Sequence, residues 1–175
     1  MRRTHLLMIL VLFILFLFAC GSGSKPQEIK TGTGGFSIET PITLKEEPTQ
    51  ILDTSFCKVY VHLFSADKGS KSYFAAYYDY PPDVISKVAA DKIFDRHRDV
   101  MMSHGKLLNE KKISLEGNPG RELEVSANMK DGVYLIKSRS FLVGNHFYDI
   151  LVRSSKNVSD SSDVKFLNSF KLLGK

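Results

Sequence analysis

Apolar and polar positions alternate with a period near two in several separated stretches, and with a helical period in one. Phe36-Ser37-Ile38-Glu39 reads as a short strand, and Ile42 to Leu44, after Pro41, as another. Cys57 to Phe64 and Tyr73 to Tyr80 are β-branched and aromatic. The turn-rich stretch Ala66 to Ser70 between them predicts a hairpin. Pro81-Pro82-Asp83 ends that strand and opens a helix, with Asp83 placed against the helix dipole. Ile85, Val88, Ala89, Ile93, His97, Val100, Met101 and His104 form one stripe, while Lys87, Asp91, Asp95, Arg98 and Asp99 lie elsewhere on the wheel. This predicts one amphipathic helix of about five turns. Gly105 would end it at the position that tolerates a positive φ.

Beyond the helix the period returns to two. Leu107 to Leu115 and Arg121 to Ala127 read as strands, joined through Pro119-Gly120 as the central pair of a type II turn. Asp131-Gly132 starts the next strand, Val133 to Val143. Gly144-Asn145 then closes a two-residue hairpin with His146 to Arg153. In that register Phe141 faces Tyr148 and Arg139 faces Ile150 on one side, while Leu142 faces Phe147 and Ser138 faces Leu151 on the other. Both faces carry apolar residues, so the sheet should be covered on both. Ser159 to Asp163 can cap a short helix, Val164 to Phe170. The fold class is α+β: an antiparallel sheet of about six or seven strands with helices packed on it.

The first 35 residues stand outside this pattern. Met1-Arg2-Arg3 is a positive start, and Leu6 to Phe18 is thirteen apolar residues without interruption. That run is short for a membrane span and fits the apolar region of a secretory signal. Leu17-Phe18-Ala19-Cys20 resembles the lipobox of bacterial lipoproteins. The resemblance implies cleavage after Ala19 and acyl chains on Cys20. Two or three such chains hold a protein firmly, at about 0.8 kcal/mol per buried methylene. The chain then divides into a signal peptide (1–19), a lipidated Cys20 with a flexible Gly/Ser/Thr/Lys tether (20–35), and one globular domain (36–175). The lipoprotein resemblance further implies, with Gly21 in place of an Asp after Cys20, an outer-membrane destination facing the periplasm in a Gram-negative cell.

A second resemblance covers the domain. It rests on Phe36-Ser37-Ile38 with Pro41, Asp95 to Asp99, Glu116-Gly117-Asn118-Pro119-Gly120-Arg121-Glu122, Phe141 to Tyr148, and Asp163 to Phe170. In this order the segments resemble small bacterial domains of the Mog1/PsbP-like fold. The resemblance implies an α/β/α sandwich and an accessory or protein-binding role, without a catalytic signature.

Charge and chemistry narrow the picture little further. The formal net charge is +5, of which Arg2 and Arg3 supply two, and no basic stripe with interleaved aromatics argues for nucleic acid. With Cys20 acylated, Cys57 is a lone thiol in a strand-like context, expected to be packed and inert. His97, Met101 and His104 fall at i, i+4 and i+7, a face that copper or zinc could use, although the same residues continue the apolar stripe. Tyr73 and Tyr77 on an aromatic strand, and Arg121 after a turn, are candidate contacts for a partner; each has an equally good structural role. Asp95 and Asp99 sit among arginines, as on a solvated charged face. No nucleophile elbow, zinc-protease motif or phosphate-cradling glycine loop is present. The expectation is a lipid-anchored envelope protein without enzymatic activity or a cofactor. It would bind another protein or, as the alternative, a small ligand or metal ion.

Overall fold

The computed structural model describes residues 27–54, 57–155 and 161–174; the signal segment, Cys20 and the side chain of His104 lie outside the described residues. The strands are β1 (Gln27–Thr31), β2 (Phe36–Thr40), β3 (Lys45–Glu46), β4 (Gln50–Asp53), β5 (Lys58–Lys68), β6 (Lys71–Asp79), β7 (Gly105–Leu115), β8 (Asn118–Met129), β9 (Gly132–Val143), β10 (His146–Ser155) and β11 (Lys171–Leu172). The helices are α1 (Pro82–Ile85), α2 (Ala90–Met101), which runs into a 3₁₀ turn at Met102–His104, and α3 (Ser161–Asn168).

The centre is an antiparallel eight-stranded sheet in the order β3-β5-β6-β10-β9-β8-β7, with β4 also paired to β5; β1, β2 and β11 form a separate three-stranded sheet. Hairpin β9–β10 has the expected register, with Phe141 opposite Tyr148 and Leu142 opposite Phe147. Gly144, at φ 59°, takes the first turn position. The strand count exceeds the expected six or seven because short strands form by pairing at the edges rather than by apolar alternation.

Both faces of the large sheet are covered. On one lies the main core: Phe36 and Ile38 of β2, Phe64, Tyr73, Tyr77, Tyr148 and Ile150 of the sheet, and Phe166, Leu167 and Phe170 around α3. Phe36 meets Phe64, Tyr77 and Tyr148 edge-on, with ring centroids 5.8–6.2 Å apart. Truncating Phe36 to Ala would cost about 3–5 kcal/mol. On the other face, Ile93 and Phe94 of α2 pack with Phe147, Tyr78, Tyr80 and Leu142, and Met101 packs over Val125, Ala127 and Ile136.

Four expectations are corrected. Residues 27–35 are not all tether. Residues 27–31 form β1, pairing Ile29 with Ile38, and Thr31 is buried. A strand needs few apolar residues when a partner's backbone completes it, so composition did not mark this one. The single long helix is instead α1 and α2, divided at residues 86–89, with Ala89 extended (ψ 134°). The bend lets Ile85 and Val88 fold back onto Ile93, where a straight helix would carry them off the sheet. Gly105 is extended (φ −157°) and does not cap the helix. A Cβ there would lie 2.5 Å from the Ser126 carbonyl oxygen, so close strand approach explains the glycine.

The fourth concerns the β7–β8 turn. It is made by Glu116 and Gly117, both at positive φ (51° and 81°), as in a type I′ hairpin. Pro119 and Gly120 lie inside β8. A Cβ on Gly120 would meet Phe141 Cδ1 at 2.5 Å, so that glycine makes room for a core ring.

Strand β7 is the outer edge. A register shift between Leu107 and Asn109 and the exposed Lys106, Lys111 and Lys112 interrupt it.

Candidate functional site

The helix face and the sheet part at one end. There, β4 and Thr54 stand away from α2 and leave a cavity of about 200 Å³. Tyr78, Tyr80 and Phe147 wall it, Leu52 and Val100 form its lips, and Arg96 and His97 bring polar groups. Thr54 is tied to Cys57, donating from its hydroxyl to the Cys57 carbonyl at 2.7 Å and accepting from the Cys57 amide at 3.1 Å. Cys57 itself is half-buried.

Below His97 sits Asp149, which is buried and accepts a hydrogen bond from the buried Ser138 hydroxyl at 2.8 Å. His97 Nε2 lies 3.4 Å from the same carboxylate oxygen but has no partner of hydrogen-bond geometry. Its ring edge packs on Phe147, with centroids 5.1 Å apart. Burial, reinforced by the Asp149 charge, raises the Tyr78 phenol far above its ordinary value, so it remains a neutral hydroxyl.

Two apolar side chains at the cavity mouth are exposed, Leu52 at 44% and Val100 at 63%; on the opposite face of the sheet, Ile51 (59%) of β4 stands across from Tyr60 (52%) of β5. The sequence pattern put Val100 on the buried stripe. Instead α2 buries Ile93, as the stripe implied, and Phe94, whose ring lies away from this cavity under Arg121 at 5.3 Å.

Arg121 and the two tyrosines are inside the molecule. Arg121 is 4% exposed, with ion pairs to Asp95 at 2.6 Å, Glu110 at 2.8 Å and Asp91 at 3.1 Å. It ties α2 to β7 and β8. The Lys112 ammonium holds the Asp91 carboxyl below its ordinary pKa, and the Arg121 guanidinium does the same for Asp95. Tyr73 and Tyr77 are core residues at 2% exposure, which removes them from any surface patch. Of the suggested metal face, His97 looks to Asp149 while Met101 packs in the core beyond it. Among the described residues no group of three His, Cys, Asp or Glu side chains is placed to hold a metal ion.

One cluster had no signal in the sequence. Asp79 lies between His62 (3.3 Å) and His146 (2.7 Å), with His62 stacked flat on Tyr77. The Tyr77 hydroxyl reaches Thr33 at 3.2 Å, and the Tyr148 hydroxyl donates to the Gly34 carbonyl at 2.8 Å. Burial and the Asp79 charge push the Tyr148 phenol up to about 12. These residues come from β5, β6, β10 and the β1–β2 turn, and only pairing in three dimensions joins them.

A groove of about 440 Å³ lies elsewhere, between the end of β2 and α3, lined by Thr40, Pro41, Lys165, Asn168 and Lys171 among others. Among the described residues no helix is long and apolar enough to cross a membrane.

A long antiparallel sheet covered on both faces is the architecture of a known class of domain. The solution structure of cyanobacterial PsbP (CyanoP) from Synechocystis sp. PCC 6803 matches it with a TM-score of 0.59 at 14% identity, over 89% of this chain and 98% of that one. The fold is therefore PsbP-like. A crystal structure of a protein of unknown function from Pseudomonas aeruginosa aligns with 62% of this chain and 83% of its own, at 7% identity and a TM-score of 0.42. No protein-family model matches the sequence, and no curated protein matches it either.

Proposed function

We propose that the chain is a lipid-anchored protein of the bacterial envelope, held by acylated Cys20, whose non-enzymatic domain docks another protein at the β4–α2 edge. The observation that carries the docking is the pair Leu52 and Val100, large apolar side chains 44% and 63% exposed that both line the cleft between β4 and α2. Apolar patches of this kind, rimmed by polar residues, are a common feature of interaction surfaces. The layer order also supports this reading. It runs α2, large sheet, then α3 with the small sheet, which we take as the α/β/α layout of Mog1/PsbP-like accessory domains.

The test pairs site-specific photo-crosslinkers at Asp53 and Val100, which line the cleft, with one at Val133, an exposed residue on the β9 strand. A discrete adduct from the first two positions, lost in Leu52→Asp, supports docking there. Equal labelling from all three, or none, rejects it. A change from Leu52 to Asp in a central contact weakens binding by about 2 kcal/mol or more. Intact-mass measurement of the membrane-extracted protein tests the anchor, and an unmodified Cys20 thiol rejects it.

The cavity favours a second reading, a small apolar ligand seated between Tyr80 and Phe147 with His97 beside it. Saturable binding of indole, abolished by Val100→Glu, would favour it; weak, non-saturating binding would count against it.

A further inference from the structure

The chain enters the domain at the mouth of the β2–α3 groove. Gln27, the first residue of β1, stands opposite Thr40, and its side chain accepts a hydrogen bond from Thr43. Thr40 and Pro41 line the groove. Across it stand Lys165 and Lys171, both exposed and, among the described residues, without a carboxylate partner. At the rim the Lys68 ammonium donates to the Pro41 carbonyl at 3.2 Å. The Asn168 carbonyl is taken by Arg139, which leaves its amide group to donate. Val164, on the outer side of α3, is 48% exposed. One carboxylate, Glu39, faces these donors, so positive charge is in surplus.

With Cys20 in the bilayer, a reading this inference rests on, only residues 21–26 separate the lipid from Gln27. Fully extended they span about 25 Å, and as a Gly/Ser-type coil about 12–15 Å. The groove's end of the domain is therefore held close to the headgroups, while the β4–α2 cleft belongs to other elements. We propose that the β2–α3 groove takes the phosphate of an anionic phospholipid headgroup and so fixes how the domain sits on the membrane. Lysines supply point charges suited to a phosphate, and the Asn168 amide adds a directional donor. The neighbouring Val164 suits the apolar boundary below the headgroups.

The experiment uses the lipidated protein in vesicles of phosphatidylcholine alone or doped with phosphatidylglycerol. The acetylation rates of Lys165 and Lys171 are read by mass spectrometry, with Lys111 and Lys112 of the β7 edge as internal references. The expected result is slowing of Lys165 and Lys171, on the order of fivefold each, with phosphatidylglycerol only. Equal rates in both vesicles overturn the proposal. So does the same slowing by inorganic phosphate in detergent, which would make the groove a site for the free ion. Lys68, at the groove rim, should also slow with phosphatidylglycerol in the unaltered protein; in Lys165→Glu/Lys171→Glu, exposed changes that leave the core intact, that slowing should vanish, and its persistence also overturns the proposal. If Cys20 proves unmodified, the anchor fails by itself. The groove is then judged by sedimentation of the same chain with phosphatidylglycerol vesicles: dependence on Lys165 and Lys171 upholds it, and no sedimentation removes it.

Discussion

Lys71 and Asp163 form an ion pair 2.6 Å long whose side chains are 7% and 1% exposed, pinning α3 to β6. Removing one partner leaves the other charge buried, at a cost of about 3–5 kcal/mol. Domains of this size are stable by roughly 5–15 kcal/mol, so either single change should take a third or more of a typical total. In a thermal melt that is a fall of roughly 6–20 °C, at about 2–4 °C per kcal/mol. The pair itself need not be worth that much. Desolvation of both ions offsets much of their attraction, so Lys71→Met combined with Asp163→Leu should recover most of the loss. The assay is a double-mutant cycle by urea denaturation, with Lys71→Met, Asp163→Leu and the pair. With single losses of about 3–5 kcal/mol each and a double loss of about 1–2, the expected coupling is about 5–8 kcal/mol, above the usual range for groups in contact because each single change strands a buried charge. Single losses near 0.5 kcal/mol, or a double mutant equal to the sum of its parts, would refute the reasoning.

Three other outcomes follow from local geometry. Glu116→Asn should stabilise the β7–β8 hairpin by about 0.5–1 kcal/mol in urea melts, because Asn tolerates the left-handed backbone that Glu116 holds at φ 51°. Gly120→Ala should destabilise by about 1–3 kcal/mol, since the added carbon lies 2.5 Å from Phe141 Cδ1 and 2.7 Å from the Ser140 carbonyl oxygen; a neutral result would mean the strand shifts freely. Asp91 and Asp95 have lowered pKa values in the folded state, so their contribution is present at neutral pH and is lost as pH falls below about 4 through the folded values. Amide exchange in α2 should therefore rise in acid relative to β10, and Arg121→Met should shrink that difference; an unchanged profile in the variant would argue against the network.

The parts of the fold legible from sequence are those set by neighbours in the chain. Gly144-Asn145 specifies a turn type, the turn type specifies register, and the cross-strand pairs of β9 and β10 follow. The doubly apolar strands likewise required cover on both faces, and α2 and α3 with the small sheet supply it. Where two local signals competed, position alone could not decide between them. Pro119-Gly120 spells a turn, but Glu116-Gly117 makes it, because only that choice puts Gly120 beneath the Phe141 ring. The split between α1 and α2 is a tertiary matter: Ile85 and Val88 are satisfied by packing that no helical wheel displays.

The sites were less legible than the fold. His97, Met101 and His104 were chosen for spacing, and the packing sends His97 and Met101 to different neighbours. Arg121, Tyr73 and Tyr77 were chosen for residue type, and each is consumed by the interior. The cleft at Leu52 and Val100 depends on where β4 lands, and β4 is four residues long with every one exposed. Such a strand carries no pattern of its own. The pairing of Asp79 with two histidines is similarly invisible until β5, β6 and β10 are laid side by side.

The interrupted β7 edge matters most where molecules are crowded. Copies confined to two dimensions on a bilayer, as proposed, would collide side-on far more often than in solution. A straight, uncharged margin would let each encounter extend one sheet into the next. The kink at Leu107–Asn109 and the flanking ammonium groups make such a seam mismatched and mutually repelling, so crowding alone should not knit the molecules into a continuous ribbon.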